Sequence, residues 1–359
     1  MNLQHSQIKI DLWQYLATTD KKIVMYGMGN GADKILAVCE RYKIEICDFF
    51  ASDGFVRGHS FHGKVVLSYS EIKQKYGAQN IIVLLSFASC LPDVLANFKR
   101  IGEECELYAP DVPVCDGEIF TLDFARAHRD ELTQAYGLLA DQTSRDIFEN
   151  VINYKLSGDI RYLFAAQSDK DEVYKELLCA DSIRSYADLG AYNGDTIREL
   201  MRYSPALSDV TAFEPDRRSF RKLTEFCATL PESIKVNALH AAAWNENAEL
   251  TFGDEGNRNS GLFAKAKTVQ IQGTSLDIAL GGKSVDYVKY DVEGCEREAI
   301  IGSSQTILSC APKLLVSVYH RSEDLFALPL QIHALGPEYK LYLRRYPYVP
   351  AWDLNLICV

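Results

Sequence analysis

"YADLGAYNGDTIREL", residues 186–200, decides how this chain is read. Tyr186–Leu189 is a short, mainly apolar run of strand character, and a helical pattern follows Thr196. Between them stand Gly190 and Gly194. Glycine reaches backbone angles closed to other residues and lets a neighbouring group approach the main chain closely. Strand, glycine turn and helix start form half of a βαβ unit, and free N–H groups at such a helix start suit an anion. No Lys-Ser/Thr pair follows, so this is not a P-loop. Nor is it G-x-G-x-x-G, so a dinucleotide pyrophosphate matches poorly. The pattern predicts a smaller anion.

Working outward, strand signals recur at "VTAF", "ALHAAAW", "ELTF", "VDYVKYD" and "KLLVSVY", with a last pair at "KLYLRRY" and "LNLICV". Helical stretches separate the earlier ones, which predicts a parallel sheet covered on both faces. The same alternation fills the N-terminal third, from "KKIVMYGMGNGAD" to "ECELYAP". Between the two, Leu132, Tyr136 and Leu139, and Phe148, Val151 and Ile152, fall at helical spacing. The expected architecture is α/β. Two Rossmann-like domains, residues 1–115 and 181–359, are joined by a helical connector at 116–180.

Composition bounds the function. The 359 residues are 47% hydrophobic and 24% charged, as in a soluble globular protein. A net charge of −11 argues against a nucleic-acid backbone as partner. The longest apolar run, "IIVLLSFASCL", is too short for a membrane span. The first twenty residues lack the pattern of a signal peptide. Ten scattered cysteines, with no C-x-x-C pair, suggest reduced thiols and a cytoplasmic location. Homo-oligomerisation is left open.

In an open parallel sheet, ligands sit at the carboxyl ends of the strands. "VTAF" ends at Glu214, 26 positions after Asp188. A carboxylate there can accept hydrogen bonds from two vicinal ribose hydroxyls. A nucleoside with one small anionic group points to S-adenosylmethionine. Its ammonium and carboxylate would sit near the turn, between backbone N–H groups and Asp188 or Asp195.

The ordered set "DLGAYNGDT", "FEPD", "TSLD", "VDYVKYDVEGCEREAIIG" and "SVYH" resembles the FkbM family of S-adenosylmethionine-dependent methyltransferases, over about Tyr186 to Arg345. The resemblance implies a class I methyltransferase fold and O-methylation of a sugar, glycan or related metabolite. It implies that Asp188, Gly190, Asn193, Gly194, Asp195 and Thr196 line the methionine end. Glu214 would hold the ribose, with Asp216 nearby. Asp291 and Glu293 would border the methyl-transfer site, with His320 closing the next strand. At the adenine the sequence departs from the family, and Trp244 or Asn245 are the candidates to cover the ring. An alcohol is a weak nucleophile, so a base helps; His320 is the first candidate and Asp291 the second. Asp291, Glu293 and His320 are also a plausible ligand set for a divalent cation, ranked behind a metal-free site.

Plainer readings accompany these. Glu296 reads as a solvated first-turn carboxylate, and Glu293 as either site or cap. Tyr287, Tyr290 and Tyr319 read as sheet packing. In the N-terminal unit, Gly27, Gly29 and Ala32, with Asp53 closing the next strand, match a dinucleotide fingerprint. The surrounding segment resembles small Rossmann-like units that precede sugar-modifying enzymes, which favours a docking or substrate-presenting role. The competing functions are an NAD-dependent sugar-modifying enzyme and a non-catalytic binding module.

Overall fold

The structure is a computed structural model that describes residues 8–56, 58–115, 117–253, 268–336 and 338–359. Asp116, where the sequence reading starts the connector, lies outside them. Two large sheets dominate. The first contains β1 (Lys22–Tyr26), β2 (Asp48–Ala51), β3 (Leu67–Ser68), β4 (Ile81–Leu85) and β5 (Glu106–Tyr108). Their order is β3-β2-β1-β4-β5, and all neighbours run parallel.

The second sheet contains β6 (Ser185–Leu189), β7 (Asp209–Phe213), β8 (Lys235–Leu239), β9 (Tyr287–Tyr290), β10 (Lys313–Ser317), β11 (Leu341–Arg345) and β12 (Leu354–Cys358). Its order is β8-β7-β6-β9-β10-β12-β11. Strands β6 to β10 are parallel, and β12 enters antiparallel between β10 and β11. The order reverses between β6 and β9, which opens a crevice at their carboxyl ends. Two strand expectations shift. "ALHAAAW" breaks after Leu239, and Ala242–Ala243 joins "ELTF" and Thr268–Thr274 in a separate three-stranded sheet.

The central strands of the second sheet are largely apolar and buried because both faces are covered. Side chains alternate across it. Ala187, Leu189, Val288, Tyr290, Leu314 and Val316 pack with the connector residues Leu132, Leu139, Phe148, Val151 and Ile152. Tyr186, Tyr287, Leu315 and Ile357 pack on the opposite side with Ile197, Leu200 and Leu223. The long connector helix Gln142–Ser157 starts at the Asp141 cap and ends at Gly158 in the left-handed conformation. Near that end Tyr154 enters the core of the first sheet, and Lys155 pairs with buried Asp111 at 2.9 Å. One helix therefore binds both sheets.

A second bridge lies beyond β11. Ser89, after β4, exchanges backbone hydrogen bonds of 2.9 and 3.0 Å with Val349. Val349 and Ala351 are buried in the core of the first sheet. No described helix is long and apolar enough to cross a membrane.

Candidate active site

The ends of β6, β7 and β9 surround a cavity of about 540 Å³. Of the residues expected from sequence, Gly190, Asp195, Thr196, Glu214, Asp216, Asp291 and Glu293 line it. Asp188, Asn193, Gly194 and His320 are not among its lining residues.

The glycine turn has an internal explanation. Gly190 has φ +92°, and a Cβ there would lie 1.9 Å from the Asp291 carbonyl oxygen. At Gly194, with φ +82°, a Cβ would lie 2.3 Å from the Phe226 ring. What approaches the backbone at these two positions is the end of β9 and the face of the next helix. Asp188 is completely buried beneath the turn. It accepts a short hydrogen bond from the Thr196 hydroxyl and faces the Lys289 ammonium at 3.7 Å. Burial pushes its carboxyl up to about 6, against the pull of Lys289 and Thr196. Asp188 thus supports the floor of the cavity.

Glu214 is held by its own neighbours. One carboxylate oxygen accepts the Tyr192 N–H and the other the Asp216 N–H, each at 2.7 Å. Tyr192 adopts φ +47°, a left-handed conformation that aims its N–H at this carboxylate. Each oxygen keeps a second lone pair. Burial pushes the carboxyl up to about 8, although the two backbone N–H groups pull it down. Asp216 is committed elsewhere: its carboxylate caps the helix Arg217–Cys227 by accepting the Arg218 and Ser219 N–H groups.

The third group forms around β9. The Asp291 carboxylate accepts hydrogen bonds from the Ser317 hydroxyl at 2.9 Å, the Tyr319 hydroxyl at 3.2 Å and the Lys289 ammonium at 3.3 Å. Burial alone would raise its pKa, but Lys289, His320 and Ser317 outweigh burial and hold it at about 2. Glu293, at φ +53°, lines the cavity with a side chain about one-third exposed. Burial raises it to about 7, against the attraction of His320.

His320 lies behind Asp291 and Glu293. It is fully buried, with Nδ1 3.0 Å from Glu296 and Nε2 3.6 Å from both Asp291 and Glu293. Burial favours the neutral ring, but the Glu296, Glu293 and Asp291 carboxylates prevail and raise it to about 10. His320 is also not among the residues that line the cavity, whereas Glu293 is. Asp291, the second candidate, lines the cavity as a carboxylate held well below its ordinary pKa by Lys289 and His320. Glu296 is buried, not solvated as expected, because it accepts the Val292 N–H at 2.8 Å and faces the His320 ring. Donor atoms of Asp291, Glu296 and His320 do lie within 4.8 Å of one another.

Several lining residues were not singled out from sequence. Lys289 is a buried cation inside an apolar strand, and its place in "YVKYD" was the available signal. Tyr319, read as packing, lines the cavity and binds Asp291, whereas Tyr287 and Tyr290 are buried in the sheet as expected. Tyr346, Tyr348 and Trp352, from the segment between β11 and β12, form an aromatic wall. Cys90 and Val114, from the N-terminal third, also line the cavity, and Cys115 donates its thiol to the Glu293 carbonyl at 2.9 Å. Trp244 and Asn245 do not line it; Ala242 and Ala243 do.

The N-terminal fingerprint is filled from within at its first glycine, whereas a Cβ at Gly29 would meet nothing within 4 Å. A Cβ at Gly27 would lie 2.7 Å from both Ser86 and Phe87 side-chain atoms. A Cβ at Gly31 would lie 2.2 Å from the Ser86 carbonyl oxygen. Asp53 accepts hydrogen bonds from the N–H and hydroxyl of Ser70, at 3.1 and 2.8 Å. The same third contains a Tyr-x-x-x-Lys spacing, Tyr69 and Lys73. Tyr69 is buried, with its hydroxyl on Glu104, and Lys73 pairs with Glu104 at 2.7 Å.

A reversed parallel sheet with one antiparallel strand inserted near its edge, and a cavity at the reversal, defines a class I methyltransferase fold. Comparison with known proteins agrees. Residues 188–349 match the family model of the methyltransferase FkbM domain. The crystal structure of methyltransferase FkbM from Methylobacillus flagellatus KT superposes with a TM-score of 0.70 at 19% identity, covering 94% of this chain and 90% of that one. A putative rRNA-methylase from Clostridium thermocellum has a TM-score of 0.35 at 11% identity, covering 53% of this chain and 96% of that one. Fibrillarin from Aeropyrum pernix, solved with natively bound S-adenosyl-L-methionine, has a TM-score of 0.33 at 12% identity, covering 52% and 75%. No curated protein matches the chain. Residues 188–349, 162 of the 359, thus match an FkbM methyltransferase domain, a match that implies S-adenosylmethionine as methyl donor.

Proposed function

We propose that this protein is an O-methyltransferase that places the methyl group of S-adenosylmethionine on a hydroxyl of a sugar or glycan, with Glu293 as the base. The observation that carries the reading is the placement of two carboxyls with different tasks on one cavity. Glu214 presents free lone pairs after satisfying two backbone N–H groups, as a ribose ligand must. Glu293 borders the same cavity with a pKa of about 7, close to the optimum for general base catalysis near neutral pH.

In this reading Gly190, Asp195 and Thr196 border the methionine end, and Glu214 receives the ribose hydroxyls. Bound there, the donor supplies a methyl group on a positively charged sulfur, which is a good leaving group. The chain's own task is to align the acceptor oxygen with that methyl and to remove the proton. Glu293 takes the proton from the acceptor hydroxyl. Asp291 stays ionised and binds the Tyr319 hydroxyl. His320 acts as a positioning residue, a buried cation that keeps the neighbouring carboxylates together.

The aromatic wall of Tyr346, Tyr348 and Trp352 supports a sugar acceptor, because flat apolar faces beside carboxylates suit a ligand that has C–H faces and hydroxyls together. We assign the N-terminal unit, residues 1–115, to the substrate side, the connector to 116–180 and the methyltransferase domain to 181–359. Separate sheets with separate cores support that division. The test is transfer of labelled methyl from S-adenosylmethionine to a panel of sugars, sugar nucleotides and glycans. With an accepted sugar, Glu293→Gln should lower kcat by about 10²–10⁴-fold, remove the limb of the pH–rate profile near 7, and leave donor affinity unchanged. A variant within a few-fold of wild type removes Glu293 from this role.

A further inference from the structure

Lys289 stands out among the groups the proposed chemistry leaves unused. It is the central residue of a buried strand, paired in register with Asp188 of β6. An ammonium has three hydrogens to place and no acceptor of its own. The polar contacts of this one are all long: Asp291 at 3.3 Å, the Gly190 carbonyl oxygen at 3.5 Å and Asp188 at 3.7 Å. A well-made N–H···O bond falls at about 2.7–3.2 Å. Within reach of the same ammonium, Asp188 Oδ1 is buried without a hydrogen-bond partner. Lys289 also lines the cavity beside Gly190 and Thr196.

The rest of the lining makes this cation matter. Asp195, Glu214, Asp216, Asp291 and Glu293 border the donor side of the cavity. They suit a sulfonium and an α-ammonium but oppose an α-carboxylate. Among the described lining residues the other cations are placed differently. Lys170 pairs with Glu199 at 2.9 Å, the Arg198 guanidinium lies over the Phe226 ring at 4.2 Å, and Arg202 is exposed. Lys289 is the buried one. We propose that Lys289 binds the donor's α-carboxylate and so selects, at the methionine end, for a ligand that carries one. The proposal rests on the donor reading above and adds a residue to it.

Calorimetry on the full chain tests it with no need for the acceptor. Two ligands are compared: S-adenosylhomocysteine, and S-adenosyl-3-thiopropylamine, which differs only in lacking the carboxylate. Wild type should bind the first at least about tenfold more tightly, the effect of one charge-assisted hydrogen bond. In Lys289→Met the preference should fall to one or below, because S-adenosylhomocysteine weakens and the amine does not. Lys289→Arg should keep it. Equal weakening of both ligands in Lys289→Met would mark a purely structural lysine and overturn the proposal. If Lys289→Met does not fold, the wild-type comparison still decides: no preference for the carboxylate refutes the inference while leaving the donor site standing. A wild type that binds neither ligand refutes the donor reading itself, and this inference with it.

Discussion

Replacement of Glu214 by alanine tests the donor site most directly. Its two oxygens are each engaged by one backbone N–H at 2.7 Å, which fixes the carboxylate plane and leaves one lone pair per oxygen for a ribose hydroxyl. Hydrogen bonds to a charged acceptor are worth about 1.5–3 kcal/mol. Glu214→Ala should therefore raise the dissociation constant of S-adenosylhomocysteine by about ten- to a hundredfold. The pH dependence gives a second, independent signature. Burial raises this carboxyl to about 8 in the free protein. Ribose hydroxyls that donate to both oxygens require the ionised form, so binding releases a proton below that pH. Wild-type affinity should weaken by about tenfold for each unit below pH 8 and level off above it. In the alanine variant that dependence should vanish, so the gap between the proteins is largest near pH 9 and narrows toward pH 6. Isothermal titration calorimetry at several pH values, in buffers of different ionisation enthalpy, reads both affinity and released protons. Equal affinity at pH 9, or a gap that does not change with pH, would falsify the ribose assignment.

Two stability predictions follow from the same geometry. His320→Gln leaves Asp291, Glu293 and Glu296 without their shared cation and should cost about 3–5 kcal/mol at pH 7, read by denaturant titration. Because the folded pKa of about 10 exceeds the unfolded 6.5, this stabilisation is complete below pH 6.5 and is lost as pH rises through 10, so the two proteins should converge above pH 10. A gap that stays constant from pH 7 to 11 means the ring is neutral in the folded protein. Gly190→Ala combines a left-handed backbone with a Cβ placed 1.9 Å from the Asp291 carbonyl oxygen, and should destabilise by more than about 2 kcal/mol. A melting temperature equal to that of wild type would mean that the β6 turn and the end of β9 are not packed as described.

The sequence by itself determined the alternation of strands and helices, since apolar periodicity and glycine turns are local signals. It also placed Gly190, Glu214, Asp291 and Glu293 at strand ends, where a parallel sheet gathers its ligands. It could not decide what those residues touch. Gly190 reads identically whether a ligand or the Asp291 carbonyl excludes its side chain, and only the pairing of β6 with β9 distinguishes them. His320 looks like a base because an unperturbed imidazole titrates near neutrality. Its charge depends on Glu296, Glu293 and Asp291, which lie 3.0–3.6 Å from its ring nitrogens, and on complete burial. The wall of Tyr346, Tyr348 and Trp352 carries no local signature, and Lys289 shows only as a lysine inside an apolar strand. They meet the cavity because β9 lies beside β6 and because the backbone of Ser89, 260 residues upstream of Val349, ties down the segment that holds the wall. Local pattern fixes the elements, whereas electrostatic character and cavity walls arise from contacts distant in the chain, which only the packed structure supplies.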